Sequence, residues 1–216
     1  MPNPAPTTPT IARPLRSDAA RNRRSLIRAA REIFERDGFV SARITDIAER
    51  AGVAHGSFYS HFPDKRAALA AVLDEVQEEM LQPGATPTAE ESDPAALIEL
   101  ANRAYLEAYQ RNARLMVLLE QVATVDEDFL RLRMQRTDAF VRRNAKAIRR
   151  LQSAGLADPE LDPSLASLAI SAMVSRTAYA TLGVGGKPVD FGSLLATLNR
   201  LWMNALRIPD RKDATS

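Results

Sequence analysis

The stretch AGVAHGSFYSHFPDK, residues 51 to 65, gathers both histidines of the chain, two of its seven phenylalanines and one of its four tyrosines beside a glycine. Aromatic residues make up only 6% of the sequence, so the cluster calls for a physical reason. Just upstream, Ile44, Ile47, Ala48 and Ala51 recur at the spacing of one helix face, and Gly52 supplies a stop. A further short helix is expected from about Ala54 to Phe62, ended by Pro63. Two short helices joined by AGV and braced by a preceding amphipathic helix make a helix-turn-helix, with Ile47, Ala48, Val53, Phe58 and Phe62 as its small core. Gly56 and Ser57 are poor helix formers, placed near the start of the second of these helices. Small residues there let the backbone approach a neighbour closely. In a recognition helix that neighbour is the floor of the DNA major groove, which is read mostly by the helix's N-terminal residues.

Outward from this motif the pattern stays helical. Residues 1 to 20 are rich in Pro, Thr and Ala without an apolar period, which reads as a disordered tail. From Arg21, Leu26, Ile27, Ala30, Ile33 and Phe34 mark one face of a helix that Gly38 stops. Asp64 is a good N-cap for a helix burying Leu69, Val72, Leu73, Val76 and Met80. QPGATPTAEESDP, residues 82 to 94, then breaks the helical run. Asp93-Pro94 and Asp162-Pro163 open helices in the cap-then-proline order. Between them lie the apolar run ARLMVLLEQVA and a long amphipathic helix from about Asp126 to Ser153, followed by Gly155. Asp190 caps a last helix ending near Leu206. No strand-like alternation and no repeat interrupt this, so the expected fold is all-α with about nine helices. The expected division is a tail (1–20), a helix-turn-helix head (21–81), a second helical domain (82–208) and a flexible end (209–216).

Charge and composition narrow the function. Residues 1 to 66 carry 12 Lys/Arg against 7 Asp/Glu, whereas residues 67 to 216 carry 17 against 20. A basic front and a mildly acidic back suit a head that meets a polyanion. Lys65 and Arg66 open one helix and Arg21, Arg23 and Arg24 another, where the helix dipole disfavours cations and a bound phosphate would reverse the sign. The chain has no cysteine, and its two histidines both sit in the head, so no nucleophile or acid–base constellation for an enzyme is apparent. His55 and His61 lie roughly 240° apart around a helix, which does not suit a shared metal; no metal and no cofactor are expected. The N-terminus has no apolar signal segment, and a cytoplasmic location is expected. Ser164–Leu182 is apolar but contains Arg176 and many small polar residues, which argues against a membrane span.

Residues 34 to 72, FERDGFVSARITDIAERAGVAHGSFYSHFPDKRAALAAV, resemble the TetR/AcrR family of transcriptional regulators. The shared features are a Gly-aromatic pair ending the first helix, IA..AGV in the second, and G.(F/L)Y.HF..K..L across the next two. The resemblance implies base contacts from Thr45, His55, Gly56 and Ser57, and phosphate contacts from Tyr59, Ser60, His61 and Lys65. Where many members have a Ser or Thr cap, this chain has Arg43, whose longer side chain reaches toward a phosphate instead; Ala54 likewise replaces a frequent serine cap. Arg13 and Arg16 in the tail are candidates for a minor groove.

A single short recognition helix touches few base pairs, so a homodimer on a palindromic operator is expected. The charge-poor segments Ser164–Leu182 and Phe191–Leu206 are the candidates for its interface, with Met173, Arg176, Leu198, Leu201 and Trp202 among the contacts. For Trp202 a plain core role is equally consistent. The family also implies a pocket for a small-molecule inducer, with Tyr105, Tyr109, Met116, Met134, Phe140, Met173 and Tyr179 as candidate lining residues, though core packing would account for each of them too. Few charges are expected inside, hence a largely apolar ligand. The expected function is therefore a ligand-released repressor. The alternative is an architectural or division-linked DNA-binding protein with the same fold and no inducer.

Overall fold

The computed structural model describes residues 16–81, 93–183, 185 and 189–208. Among these it contains nine α-helices and no strand. Arg13, the segment 82–92 with Glu90 and Glu91, and the end 209–216 lie outside the described residues.

Helix α1 (Arg16–Ser41) starts five residues earlier than its apolar period indicates, because Asp18 sits in its first turn and pairs with Arg21 one turn on. Leu26, Ile27, Ala30, Ile33 and Phe34 form its buried face. Gly38 takes φ 72° and kinks the helix, a conformation that L side chains rarely adopt. Beyond the kink Phe39 packs against Phe34, 6.0 Å away between ring centroids, and edge-on to Phe129 at 5.7 Å. Helix α2 (Ile44–Ala51) ends on Gly52 in the left-handed region, with the Gly52 N–H donating to the Glu49 carbonyl and the Val53 N–H to that of Ala48. Helix α3 (His55–Tyr59) is a turn shorter at its C-terminus than expected, since the Phe58 carbonyl takes both the His61 and Phe62 amides at 2.9 Å and closes the chain into a turn.

Helix α4 (Lys65–Leu81) is capped by the Asp64 carboxylate, which accepts from the Ala67 amide at 2.8 Å. Helices α5 (Pro94–Arg111), α7 (Glu127–Ser153), α8 (Pro163–Leu182) and α9 (Phe191–Leu206) are capped by Asp93, Asp126, Asp162 and Asp190. Each aspartate accepts from amides of the first turn that would otherwise lack partners. Helix α6 (Ala113–Val122) is the apolar ARLMVLLEQV run, separated from α5 by Asn112. Asn112 is fully buried and fully engaged. Its carbonyl accepts from Arg31 of α1 at 2.7 Å, while its amide donates to Glu79 of α4 at 2.9 Å and to the Ala108 carbonyl at 2.7 Å.

One continuous apolar core runs from Leu26 to Ile208. In it α4 packs against α1, α5 and α7, α8 lies along α7, and α9 lies along α5. No helix among the described residues is long and apolar enough to cross a membrane.

Candidate nucleic-acid interface and internal cavity

The head presents α3 outward. Phe58 and Phe62 point into the core, fully and nearly fully buried, and hold the short helix down through a ring contact of 5.6 Å. With that side anchored, His55, Gly56, Tyr59 and Ser60 all face solvent. The His55 ring rests edge-on against Tyr59, one turn later, at 5.4 Å, which limits the rotamers of both. Tyr59 leaves half of its surface exposed, at 51%. A Cβ added to Gly56 would meet no atom within 4 Å, and its backbone is outside the positive-φ region. The fold itself therefore has no need of a glycine at this position. Ser57 and His61 are half-buried at the edges of the same surface, and exposed Thr45, hydrogen-bonded to Asp46 at 3.1 Å, and Arg43 flank it from α2.

Arg43 occupies the N-cap of α2 without a side-chain cap bond, and Ala54 does so for α3, as their chemistry requires. On α1, Arg21, Arg24, Arg28 and Arg31 follow one another on a single face, and Arg23 lies over the Phe62 ring at 5.0 Å. This surface offers cations, an imidazole and hydroxyls around a close-approach glycine. It can make direct hydrogen bonds to base edges and to phosphates.

Two residues expected at the phosphates have protein partners instead. The Lys65 ammonium donates to the carbonyls of Phe39, Val40 and Ala42 at 2.8, 3.0 and 3.1 Å, and lies over the Phe39 ring at 4.9 Å. Its three protons are thus engaged at the C-terminal end of α1. Arg66 pairs with Asp126 at 2.7 Å and Asp128 at 2.9 Å, at the start of α7. The Asp128 carboxyl is held below its usual range by the hydrogen bond from Arg131 first and by Arg66 after it. Both cations at the start of α4 are answered by carbonyls and carboxylates, which removes the dipole argument for a phosphate there.

A cavity of about 360 Å³ lies within the helices that follow the head, reached by residues of α4 to α9. Of the residues expected to line a pocket, Tyr105, Met116 and Phe140 do so. Tyr109, Met173 and Tyr179 pack in or against the core away from it, and Met134 faces solvent at 57% exposure. The Tyr105 ring sits edge-on to Phe140 at 5.5 Å, and burial pushes its phenol well above the usual range. Trp202, considered for a dimer contact, is buried and lines this cavity; Leu198 is buried in the core. The expectation of few charges inside is overturned. Arg133, Arg136, Arg143 and Arg150 of α7 line the cavity, and the one carboxylate among its described lining residues is Glu120, which Arg133 meets at 3.0 Å. The clue was present in the sequence: Phe129, Arg133, Arg136, Phe140 and Arg143 are spaced three and four apart, so the arginines share the apolar face.

Comparison with known proteins agrees with this architecture. Residues 26–72 match the family model of bacterial regulatory proteins of the tetR family. The chain is 30% identical over 177 residues to the HTH-type transcriptional regulator TtgR of Pseudomonas putida, covering 76% of this chain and 81% of that protein. Among solved structures it resembles GusR of Salmonella enterica, with a TM-score of 0.67 at 19% identity over 86% of this chain and 95% of that one. It also resembles a transcriptional regulator of Rhodococcus sp. Rha1, with a TM-score of 0.64 at 18% identity over 87% and 99% of the two chains. At those identities the structural likeness speaks to the fold.

Proposed function

The chain belongs to the tetR family of bacterial regulatory proteins and is a DNA-binding transcription regulator, and from that premise we propose that it is a homodimeric repressor released from a palindromic operator by a small molecule with a largely apolar body. The relatives it matches are transcriptional regulators, not enzymes. Residues up to 81 serve as the reading head and 82–208 as the ligand-binding and dimerisation domain.

The observation that carries the reading is Gly56. An exposed helical glycine that its own fold does not require makes sense where something outside the chain comes within a methyl's width. His55, Gly56, Ser57 and Thr45 read bases, and Tyr59, Ser60, His61 and Arg43 position the head on phosphates. Lys65 is assigned to the fold and not to DNA.

Dimerisation rests on α8 and α9. Leu165, Leu168, Ala172 and Arg176 leave one exposed stripe along α8, with the two leucines 68% and 46% exposed, and Leu201 of α9 is 44% exposed. Exposed leucines at helical spacing suit a self-complementary interface. The cavity of about 360 Å³ favours a ligand-responsive regulator over an architectural protein without an inducer. Selection of bound sequences from a random DNA pool tests the reading: it should yield a palindrome bound by two subunits. Dispersed, unrelated sequences would overturn it.

A further inference from the structure

The cavity wall holds more hydrogen-bond donors than the protein satisfies. Arg136 is only 4% exposed. Its guanidinium donates to the Leu73 carbonyl of α4 and approaches the Met116 sulfur at 4.0 Å, with no carboxylate bound to it among the described residues. A guanidinium carries five N–H donors, and a buried cation without an anion is costly. Burial lowers its pKa to about 10, with Asp74 opposing, so it remains charged at neutral pH.

Its neighbours share this deficit. Arg143 reaches the Leu81 carbonyl at 3.3 Å and lies over the Phe140 ring at 5.2 Å, again without a carboxylate. The Nε of Arg133 and the indole N–H of Trp202 are buried with no acceptor among the described residues. Against the four lining arginines, Arg133, Arg136, Arg143 and Arg150, the one carboxylate among the described lining residues is Glu120, already paired. The remaining wall is mostly apolar, with Leu97, Ile98 and Phe140, and carries neutral polar groups such as Thr137, Asn144 and Ser171.

We propose that the cavity binds a small monocarboxylate with an apolar aryl or alkyl body, its carboxylate received by Arg136 with Arg143 beside it. A carboxylate matches a guanidinium fork with two parallel hydrogen bonds and supplies the missing negative charge. A polyanion does not fit, because most of the wall cannot hydrogen-bond. The same guanidinium holds the backbone of α4 at Leu73, so a bound carboxylate competes with that carbonyl for its protons. This inference rests on the reading of the cavity as the ligand site.

The test uses matched pairs: 4-phenylbutanoate against 4-phenylbutanamide, and octanoate against octanamide. Affinity is measured by calorimetry, and location by the emission of Trp202, the single tryptophan of the chain. The carboxylate of each pair should bind at least about tenfold tighter, the effect of a charge-assisted hydrogen bond, and perturb the tryptophan emission. Arg136→Gln should abolish the preference while leaving amide affinity within about threefold; Arg136→Lys should restore part of it. The wild-type comparison stands alone if Arg136→Gln fails to fold. Amides binding as well as carboxylates, a preference that survives in a folded Arg136→Gln protein, or no binding of either pair would overturn the proposal. Operator release is followed in the same titrations. Carboxylate preference without release supports this site and sinks the release mechanism, whereas equal release by amides supports release and sinks the anion site.

Discussion

Replacing Gly56 with alanine should make this protein more stable and a poorer reader of DNA at once. The added methyl meets no protein atom within 4 Å, and the residue lies in α3 with an ordinary backbone conformation. The folded state therefore accepts it without strain, while the unfolded chain loses freedom. The gain is about 0.4–1 kcal/mol, which in a chain of this size raises the melting temperature by roughly 1–4 °C. On the operator the same methyl stands between the helix and a base edge, and the loss of one good base contact costs about 1–3 kcal/mol, or roughly 5–150-fold in affinity. Thermal unfolding gives the first quantity, and fluorescence anisotropy on the selected operator, with a random duplex as control, gives the second. The two effects have opposite signs, so a general defect in folding cannot imitate them. Operator affinity that holds or improves along with stability would refute the assignment of α3 as the reading helix.

His55→Ala should weaken operator binding by about 1–3 kcal/mol and relax base preference at one position; equal loss on every duplex would make His55 a phosphate contact. Lys65→Met should leave the salt dependence of DNA binding unchanged and lower folding stability by about 1–3 kcal/mol, since three carbonyls lose a charged donor. A log–log salt slope shallower by about one would return Lys65 to the phosphates. Leu165→Glu together with Leu168→Glu should yield monomers by analytical ultracentrifugation and lose operator binding; an intact dimer would move the interface off α8.

Much of the fold was legible because its signals are local. Asp93-Pro94, Asp162-Pro163 and Asp190 start helices through bonds to amides two or three residues away, and Gly52 ends α2 through its own φ. The partners of Lys65 and Arg66 were not legible, for they lie 23 to 26 and 60 to 62 residues away. A basic residue at a helix start looks the same in sequence whether a phosphate or a distant aspartate answers it. The arginines of α7 are hard to place from sequence for a different reason. Cations normally face water, so a long, arginine-rich helix gives no reason to expect charge in a cavity, although the spacing of Arg136 from Phe129 and Phe140 puts it on the apolar face. Leu198 and Trp202 lie on a helix with few charges on any side, and composition alone does not separate the face toward the core from the face toward a partner subunit.

Lys65 and Arg66 are consecutive, yet they grip different parts of the molecule: the first clasps the end of α1 beneath the helix-turn-helix, the second clasps the start of α7, whose later turns wall the cavity. Along the chain the two grips are one peptide bond apart, and they act beside the Phe39–Phe129 ring contact and the Arg31–Asn112 bond that also join head and body. A shift at the start of α7 pulls on Arg66 directly. Any displacement there either turns the head with it or breaks the Arg66 ion pairs.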